Sequence, residues 1–310
     1  MYDAIIIGAG PAGLTAGLYC GRFRMRALIL EKISIGGQII TSPSIDNFPG
    51  FPAGIATHEL IEKIKQQVDA VGVEILMEEA LEITAQHNEN NSHFYKIRIY
   101  DKTLETKTII LASGAQPKKL GVPGESRLIG RGVSYCGTCD APLFKNKEVV
   151  VVGGGDRAIE EAIFLTSYAK RVTIVHRRQE FRGSKILEEK LKTNPKINFI
   201  LDSVVEEILG QNRVEALKIK NIKTNHLTDF PCDGIFLFVG IRPNTEFLKN
   251  LLNTNETGFI ITHHDLETSL KGIFACGDCR EKSLYQVVNA CGDGAVAADS
   301  AYKYLLTTRT

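Results

Sequence analysis

Three things are scarce in this 310-residue sequence, and each scarcity excludes something. Charge of either sign is not in excess: 37 basic side chains stand against 36 acidic ones, a formal net charge of +1. That balance excludes the strongly basic surface of a nucleic-acid binder or a polybasic membrane-surface protein. Long apolar runs are missing, none approaching the ~18 residues of a membrane-spanning helix. Met1-Tyr2-Asp3 leads into a strand pattern with no basic segment before it, so no secretory signal is expected. Cysteine occurs seven times, an odd number that suits no exported disulfide scaffold, and a chain this long buries a core without such staples. A reducing, cytoplasmic setting is expected, with any disulfide being catalytic.

What is present points to an α/β architecture. Apolar residues at 44% and charged residues at 24% are ordinary for a globular protein, and the length predicts about two domains. Residues 2–7 read as a strand, Gly8-Ala9-Gly10-Pro11-Ala12-Gly13 as a turn, 14–22 as a helix and 27–30 as a second strand ending at Glu31. Residues 42–54, rich in Pro and Gly, predict an ordered loop, and 57–71 a helix. Residues 94–100 and 104–111 alternate like paired strands around Asp101-Lys102. At Glu148 the opening pattern restarts: strand 149–152, turn Gly153-Gly154-Gly155-Asp156-Arg157-Ala158, helix 159–168, strand 172–175 and then His176-Arg177-Arg178. Two such units predict two Rossmann-like, three-layer nucleotide-binding domains. The last segment is a strand at 272–275, the turn Cys276-Gly277-Asp278-Cys279 and a long helix at 286–304.

The two glycine turns differ in the chemistry around them. In the first, Gly8, Gly10 and Gly13 have the spacing that turns tightly, approaches a pyrophosphate and packs helix on sheet, with Ala12 inside the turn. Glu31, at the end of the second strand, can accept hydrogen bonds from ribose hydroxyls. In the second, Gly153, Gly155 and Asp156-Arg157-Ala158 form the turn, and no acid ends the next strand. A carboxylate there would repel a 2′-phosphate, whereas Arg177 and Arg178, with Arg182 after His176, can grip one. Each charge-assisted contact is worth about 1.5–3 kcal/mol; the rival reading is a solvated basic surface. The first site is thus expected to take FAD or NAD, and the second NADP.

Tyr135-Cys136-Gly137-Thr138-Cys139-Asp140 places a Cys-x-x-Cys just before the second unit. This spacing closes a small reversible ring and lowers a thiol pKa towards neutrality. Exchange needs a thiolate to attack and a proton for the leaving thiol, which the neighbouring Asp140 can relay. The rival is half a zinc site completed by Cys276 and Cys279, but that pair lies in the other predicted domain, within a Gly-Asp turn.

Taken together these residues resemble the low-molecular-weight, bacterial-type thioredoxin reductases, FAD- and NADPH-dependent members of the pyridine nucleotide–disulfide oxidoreductases. The motifs are Gly8-Ala9-Gly10-Pro11-Ala12-Gly13, Gly36-Gly37-Gln38, Asn47-Phe48-Pro49-Gly50, Ala112-Ser113-Gly114-Ala115, Cys136-Gly137-Thr138-Cys139-Asp140, His176-Arg177-Arg178 with Phe181-Arg182, Gly277-Asp278 and Gln286-Val287. The resemblance implies a discontinuous FAD domain, 1–115 and 242–310, with the NADPH domain, 116–241, inserted into it and carrying the dithiol. It implies FAD contacts from Gly37, Gln38, Asn47, Gly277, Asp278, Gln286 and Val287, with Asp278 on the ribityl chain and Glu31 on the adenosine ribose. It implies electron flow from NADPH to FAD to the Cys136–Cys139 disulfide and on to oxidised thioredoxin. Cys136 is then the thiol that attacks the partner, Cys139 the flavin-proximal one and Asp140 the acid. Ala115-Gln116 and Ile241-Arg242 become hinge strands, and a homodimer is implied.

Some residues depart from the family pattern. Arg157 stands where a small residue is usual, Tyr285 where many members have Arg, and Cys276 and Cys279 flank Gly277-Asp278 where small or apolar residues are common. Cys20, Cys232 and Cys291 read as small buried apolar residues. Other flavoenzymes fit less well. Larger disulfide reductases place their dithiol soon after the first βαβ unit, ferredoxin–NADP reductases lack a central dithiol, and ferredoxin-dependent reductases and dithiol oxidases of this architecture usually lack the arginine cluster. Relatives that reduce peroxiredoxin carry a further N-terminal domain. The remaining alternatives are another thioredoxin-like or small disulfide partner, or a flavoprotein that is ferredoxin-dependent or senses redox state without turnover. The near-zero net charge conceals a split: residues 114–240 carry 20 basic and 15 acidic side chains, the remainder 17 and 21. The positive excess falls on the domain expected to bind the more highly charged nucleotide.

Overall fold

The run Ala4-Ile5-Ile6-Ile7 is buried from end to end, a pattern that suits a parallel strand covered on both faces. The computed structural model describes residues 1–41, 44–45, 47–87, 93–248 and 251–308; the side chains of Thr41, Ser44, His87, His93, Thr138 and Cys139 fall outside that description. The chain divides into two units, residues 1–116 with 242–310, and residues 117–241.

In the first unit, Tyr2–Ile7 lies parallel to Ala27–Leu30 on one side and to Thr103–Leu111 on the other. Glu74–Leu76 extends the sheet beyond Ala27–Leu30, and Ile273–Ala275 pairs parallel with Thr103–Leu111. His93–Arg98 pairs antiparallel with the start of Thr103–Leu111, and Glu82–His87 pairs antiparallel with His93–Arg98. Period-2 alternation sorts the residues into two cores. Ala4, Ile6, Ile29 and Ile110 face the helices Pro11–Arg22, Thr57–Ala70 and Val287–Thr307, while Ile5, Ile7, Leu28, Ile109 and Leu111 face Ile83, Tyr95 and Ile97. Three layers result.

The second unit repeats the logic. Val133–Ser134, Gly234–Phe238, Glu148–Gly153, Arg171–Val175 and Ile197–Ile200 form a parallel sheet in that order. Val149, Val151 and Ile174 face the helix Asp156–Leu165; Val150, Val152 and Ile235 face the antiparallel strands Ser203–Leu209, Ala216–Asn221 and Leu227–Pro231.

Both fingerprint helices begin three residues earlier than the apolar pattern suggests, at Pro11 and at Asp156. Proline at the first helical position loses no hydrogen bond and has its φ preset, so the turn runs straight into helix. Of the loop expected at 42–54, residues 42, 43 and 46 lie outside the described residues, and Ser44–Ile45 pairs antiparallel with Ile55–Ala56. The connecting strands Ala115–Pro117 and Ile241–Pro243 pair with each other. Beside them Ser113 Oγ donates to the Asn244 carbonyl at 2.8 Å, and Asn244 Nδ2 donates back to the Ser113 carbonyl at 2.9 Å.

Candidate cofactor and dithiol sites

The first glycine turn is shaped by collisions that only glycine avoids. A Cβ on Gly8 would strike the Ala112 carbonyl oxygen, and one on Gly13 the Gly8 carbonyl oxygen. Gly10 is different: the nearest atom to its absent Cβ is 3.9 Å away, so its backbone stands open at the start of Pro11–Arg22, as a pyrophosphate requires. Gly37 packs against it, a Cβ there lying 3.1 Å from Gly10 Cα, and Gln38 follows in the same short 3-10 helix. Glu31 is 9% exposed and works inward. Its Oε2 accepts from Ala9 N at 2.8 Å, and its Oε1 from Ile33 N at 2.9 Å and Ser34 N at 3.3 Å. Of about four lone-pair sites on a carboxylate, three hold backbone.

Residues far apart in sequence meet in this unit. Asn47 Nδ2 donates to Gln286 Oε1 at 3.0 Å, across 239 residues. Gly277 has φ +72°, and a Cβ on it would sit 2.8 Å from Ala12 Cβ. Its N–H donates to Asp293 Oδ2 at 3.1 Å. Asp293 is 6% exposed and also accepts from Arg280 Nε at 3.0 Å and Nη2 at 3.3 Å. Asp278 follows Gly277 and has Lys282 Nζ 3.1 Å from its Oδ1, while Val287 packs half-buried on the helix-side core. Asp293, Arg280 and Lys282 are not among the residues that the sequence motifs single out. The signal for Asp293 was Gly292-Asp293-Gly294: two glycines inside a helix each cost about 1 kcal/mol, and a Cβ on Gly294 would strike the Ala12 carbonyl oxygen.

The second turn has the same plan. A Cβ on Gly153 would lie 2.5 Å from the Phe238 carbonyl oxygen and 2.7 Å from Ala158 Cβ, whereas Gly155 has no atom within 4 Å of its Cβ position. The arginine loop is tied to the turn: Arg182 N donates to the Gly154 carbonyl at 2.7 Å, and Ser184 N to Asp156 Oδ1 at 2.6 Å. Asp156 is therefore engaged with backbone at the mouth of the helix. Arg177, Arg178 and Arg182 are exposed, and among the described residues no carboxylate pairs with any of them. Arg157 is also exposed, its guanidinium 5.5 Å from the Phe238 ring centroid. His176 stands apart from the arginines: it is 5% exposed, lies under Gly154, stacks on Phe181 and donates from Nε2 to the Glu180 carbonyl at 3.2 Å. Burial pushes its pKa below the ordinary 6.5, against the Glu180 hydrogen bond, and Arg182, Arg177 and Arg178 push it the same way.

In the dithiol segment Cys136 is half-buried and disulfide-bonded; the Cys139 side chain lies outside the described residues. Ser134 Oγ accepts from Cys136 N and donates to the Cys136 carbonyl, both at 3.0 Å, and Asp140 N donates to that carbonyl at 3.3 Å. The single helical turn Gly137–Asp140 rests on the nucleotide helix, since a Cβ on Gly137 would strike Glu161 Oε2. Tyr135 OH donates to Glu125 Oε1 at 2.5 Å, and Glu125, 2% exposed, also accepts from Leu120 N and Gly121 N. Burial, then that carboxylate, holds the Tyr135 phenol well above its ordinary pKa. Neither Ser134 nor Glu125 carried a sequence signal, because their partners meet only in the fold.

The other five cysteines are free thiols. Burial pushes Cys20 and Cys232 up to about 12 and raises Cys276, Cys279 and Cys291 as well. Thiolates are the reactive species, so these five are poor nucleophiles. Cys276 belongs to the helix-side core and Cys279 to the opposite one, its Sγ facing the Leu111 and Cys276 carbonyls at 3.4 and 3.3 Å. Cys291 is half-buried rather than fully packed, with Sγ 3.9 Å from the Pro11 carbonyl.

Two glycine turns that open helices and a segment with a disulfide-bonded Cys136 suggest a class, and sequence comparison agrees. The chain belongs to the pyridine nucleotide–disulphide oxidoreductase family, whose model matches residues 2–294. It is an oxidoreductase, an NADPH-dependent flavoprotein disulfide reductase with FAD and NADPH as cofactors. Within the family its similarity is to thioredoxin reductases. It is 42% identical to the thioredoxin reductase of Peptoclostridium acidaminophilum over 98% of this chain and 97% of that protein. The crystal structure of Lactococcus lactis thioredoxin reductase in its FR conformation matches with a TM-score of 0.92 at 42% identity, over 99% of this chain and 100% of that one. That of the T. acidophilum thioredoxin reductase matches with 0.88 at 33% identity, over 98% and 99%. Among the described residues no helix is long and apolar enough to cross a membrane.

Proposed function

We propose that the chain reduces thioredoxin, or a thioredoxin-like protein, through a Cys136–Cys139 dithiol in the second unit. The observation that carries this reading is the disulfide-bonded Cys136 on a turn packed against the nucleotide helix, while the five other thiols are suppressed by burial. The relatives' name supplies the partner.

The cofactor assignments rest on fit. The open backbone at Gly10, with Gly277 packed on Ala12 of the same turn and Asn47 bonded to Gln286, suits FAD in the first unit. The open backbone at Gly155 and the exposed Arg177, Arg178 and Arg182, without a carboxylate partner among the described residues, suit NADPH in the second. When bound, the two supply hydride donation and two-electron transfer to a disulfide. The amides of the second turn would hold the pyrophosphate, with Arg157 at the same helix start, and the three arginines would hold the 2′-phosphate. In the thiol steps, Asp140 takes the proton of Cys136, whose Sγ⁻ attacks one sulfur of the partner's disulfide to form a mixed disulfide, and Asp140 returns that proton to the departing thiolate. Asp140 then takes the proton of Cys139, whose Sγ⁻ attacks Cys136 Sγ and restores the internal disulfide, and the proton passes to the partner's second departing thiolate. One dithiol and one disulfide thereby exchange two electrons and two protons.

Anaerobic titration of the purified protein with NADPH tests the reading. Flavin absorbance should fall and two thiols become titratable, and thioredoxin should then reoxidise them. Reduction by NADH but not NADPH overturns the second-site assignment, and reduced thiols that thioredoxin leaves untouched overturn the partner. The free buried thiols suit a cytoplasmic setting. The homodimer that the resemblance implies is checked by light scattering.

A further inference from the structure

Lys282 is a lysine that the fold has removed from solvent. Its side chain is 4% exposed, with Nζ 3.1 Å from Asp278 Oδ1, 3.4 Å from Asp293 Oδ2 and 5.5 Å from the centroid of the Tyr285 ring. Burying an ammonium is costly unless it is paired and its protons are used, and here two carboxylates and an aromatic face surround it. Arg280 is the second cation of the cluster, and its neighbours are Asp293, Thr262 and the Glu281 carbonyl rather than Asp278. The two carboxylates are used differently. Asp293 spends both oxygens inside the protein, on Arg280, Gly277 N and Lys282. Asp278 Oδ1 is buried, with no hydrogen bond of good geometry and only the Lys282 ammonium close by. Yet the Asp278 side chain is 36% exposed, so its exposure belongs to the rest of the carboxylate.

We propose that Lys282 is a positioning residue for the flavin site: it fixes Oδ1 of Asp278 so that Oδ2 is presented to a ribityl hydroxyl of FAD. Asp293 and Tyr285 in turn hold Lys282, and Tyr285 is itself packed on Phe259. The proposal rests on the reading of Asp278 as a flavin ligand. Asp293 already has Arg280 as a cation partner, so the distinctive contribution of Lys282 is to Asp278. A lysine suits that task better than an arginine, because a compact ammonium can lie between two carboxylates and a ring face where a planar fork cannot.

A double-mutant cycle on the full chain, purified with its flavin, tests this. The readout is the FAD dissociation constant, from the flavin fluorescence released on dilution. Lys282→Met should weaken FAD binding by about tenfold or more, and Asp278→Ala by at least as much. The double variant should be no weaker than Asp278→Ala alone, and NADP⁺ affinity should be unchanged throughout. Additive losses would mean that Lys282 only supports the fold, and would overturn the proposal. Parental FAD affinity in Asp278→Ala would instead remove the ligand reading on which the proposal stands. Should Lys282→Met fail to fold, Lys282→Gln, which keeps a donor but not the charge, carries the same expectation in the same cycle.

Discussion

After the first glycine turn the second strand ends in Glu31; after the second turn it ends in His176 with Arg177 and Arg178 behind it. The two turns share their geometry, down to the open position at Gly10 and at Gly155, yet they spend charge in opposite ways. Glu31 is turned inward, and three backbone amides occupy most of its lone pairs. The three arginines of the second unit stand exposed, without a carboxylate among the described residues. A charge whose hydrogen bonds are consumed internally shapes the site, whereas charges left clustered and unpaired repel one another until an anion arrives. The positive excess of residues 114–240 is the sequence-level trace of that difference.

The comparison can be broken or sharpened by substitution. The largest effect belongs to the dithiol, which only the second unit carries. Cys136→Ser should lower thioredoxin reduction by at least about 10⁴-fold while NADPH still bleaches the flavin; surviving thioredoxin turnover would dismiss the thiol assignment. Next comes the exposed charge. Arg177→Ala with Arg178→Ala should raise the Michaelis constant for NADPH by about 100-fold or more and leave NADH and the melting temperature almost unchanged. Equal losses with both nucleotides would make the cluster structural. The turns themselves come third. Gly13→Ala, forced against the Gly8 carbonyl, should cost about 1–3 kcal/mol and flavin occupancy with it, and Ala158→Gly only about 1 kcal/mol, both read by denaturant unfolding.

The smallest effect is one of pH. His176 has its pKa lowered in the folded state, so below the ordinary 6.5 the unfolded chain binds the proton first. Its contribution to stability is present above that value and lost as pH falls through it towards the folded pKa. The melting temperature should therefore decline from about pH 7 to about pH 5, and His176→Gln should flatten that slope. An unchanged slope would place the acid sensitivity elsewhere.

Both βαβ units, their turns and the pairing around Asp101-Lys102 were legible in sequence, because apolar alternation and glycine spacing are local signals. Glu31 and His176 were legible as positions but not as environments. A carboxylate at a strand end looks the same whether or not the backbone of Ala9 donates to it, and a histidine before two arginines looks as exposed as they are. Cys276 and Cys279 looked like a pair, yet the strand ending at Ala275 and the turn after it send them to opposite cores.

By itself the sequence determined two nucleotide-binding turns, a dithiol between them and the difference in charge, since each depends on residue type at short spacing. The tertiary structure alone decided which distant polar groups meet. Glu125 meets Tyr135 through a loop, Asn47 meets Gln286 across 239 residues, and Lys282 is walled in by Asp278, Asp293 and Tyr285. The physical reason is that a buried charge is tolerable only where partners converge on it, and that convergence is a property of packed helices and strands rather than of neighbouring residues.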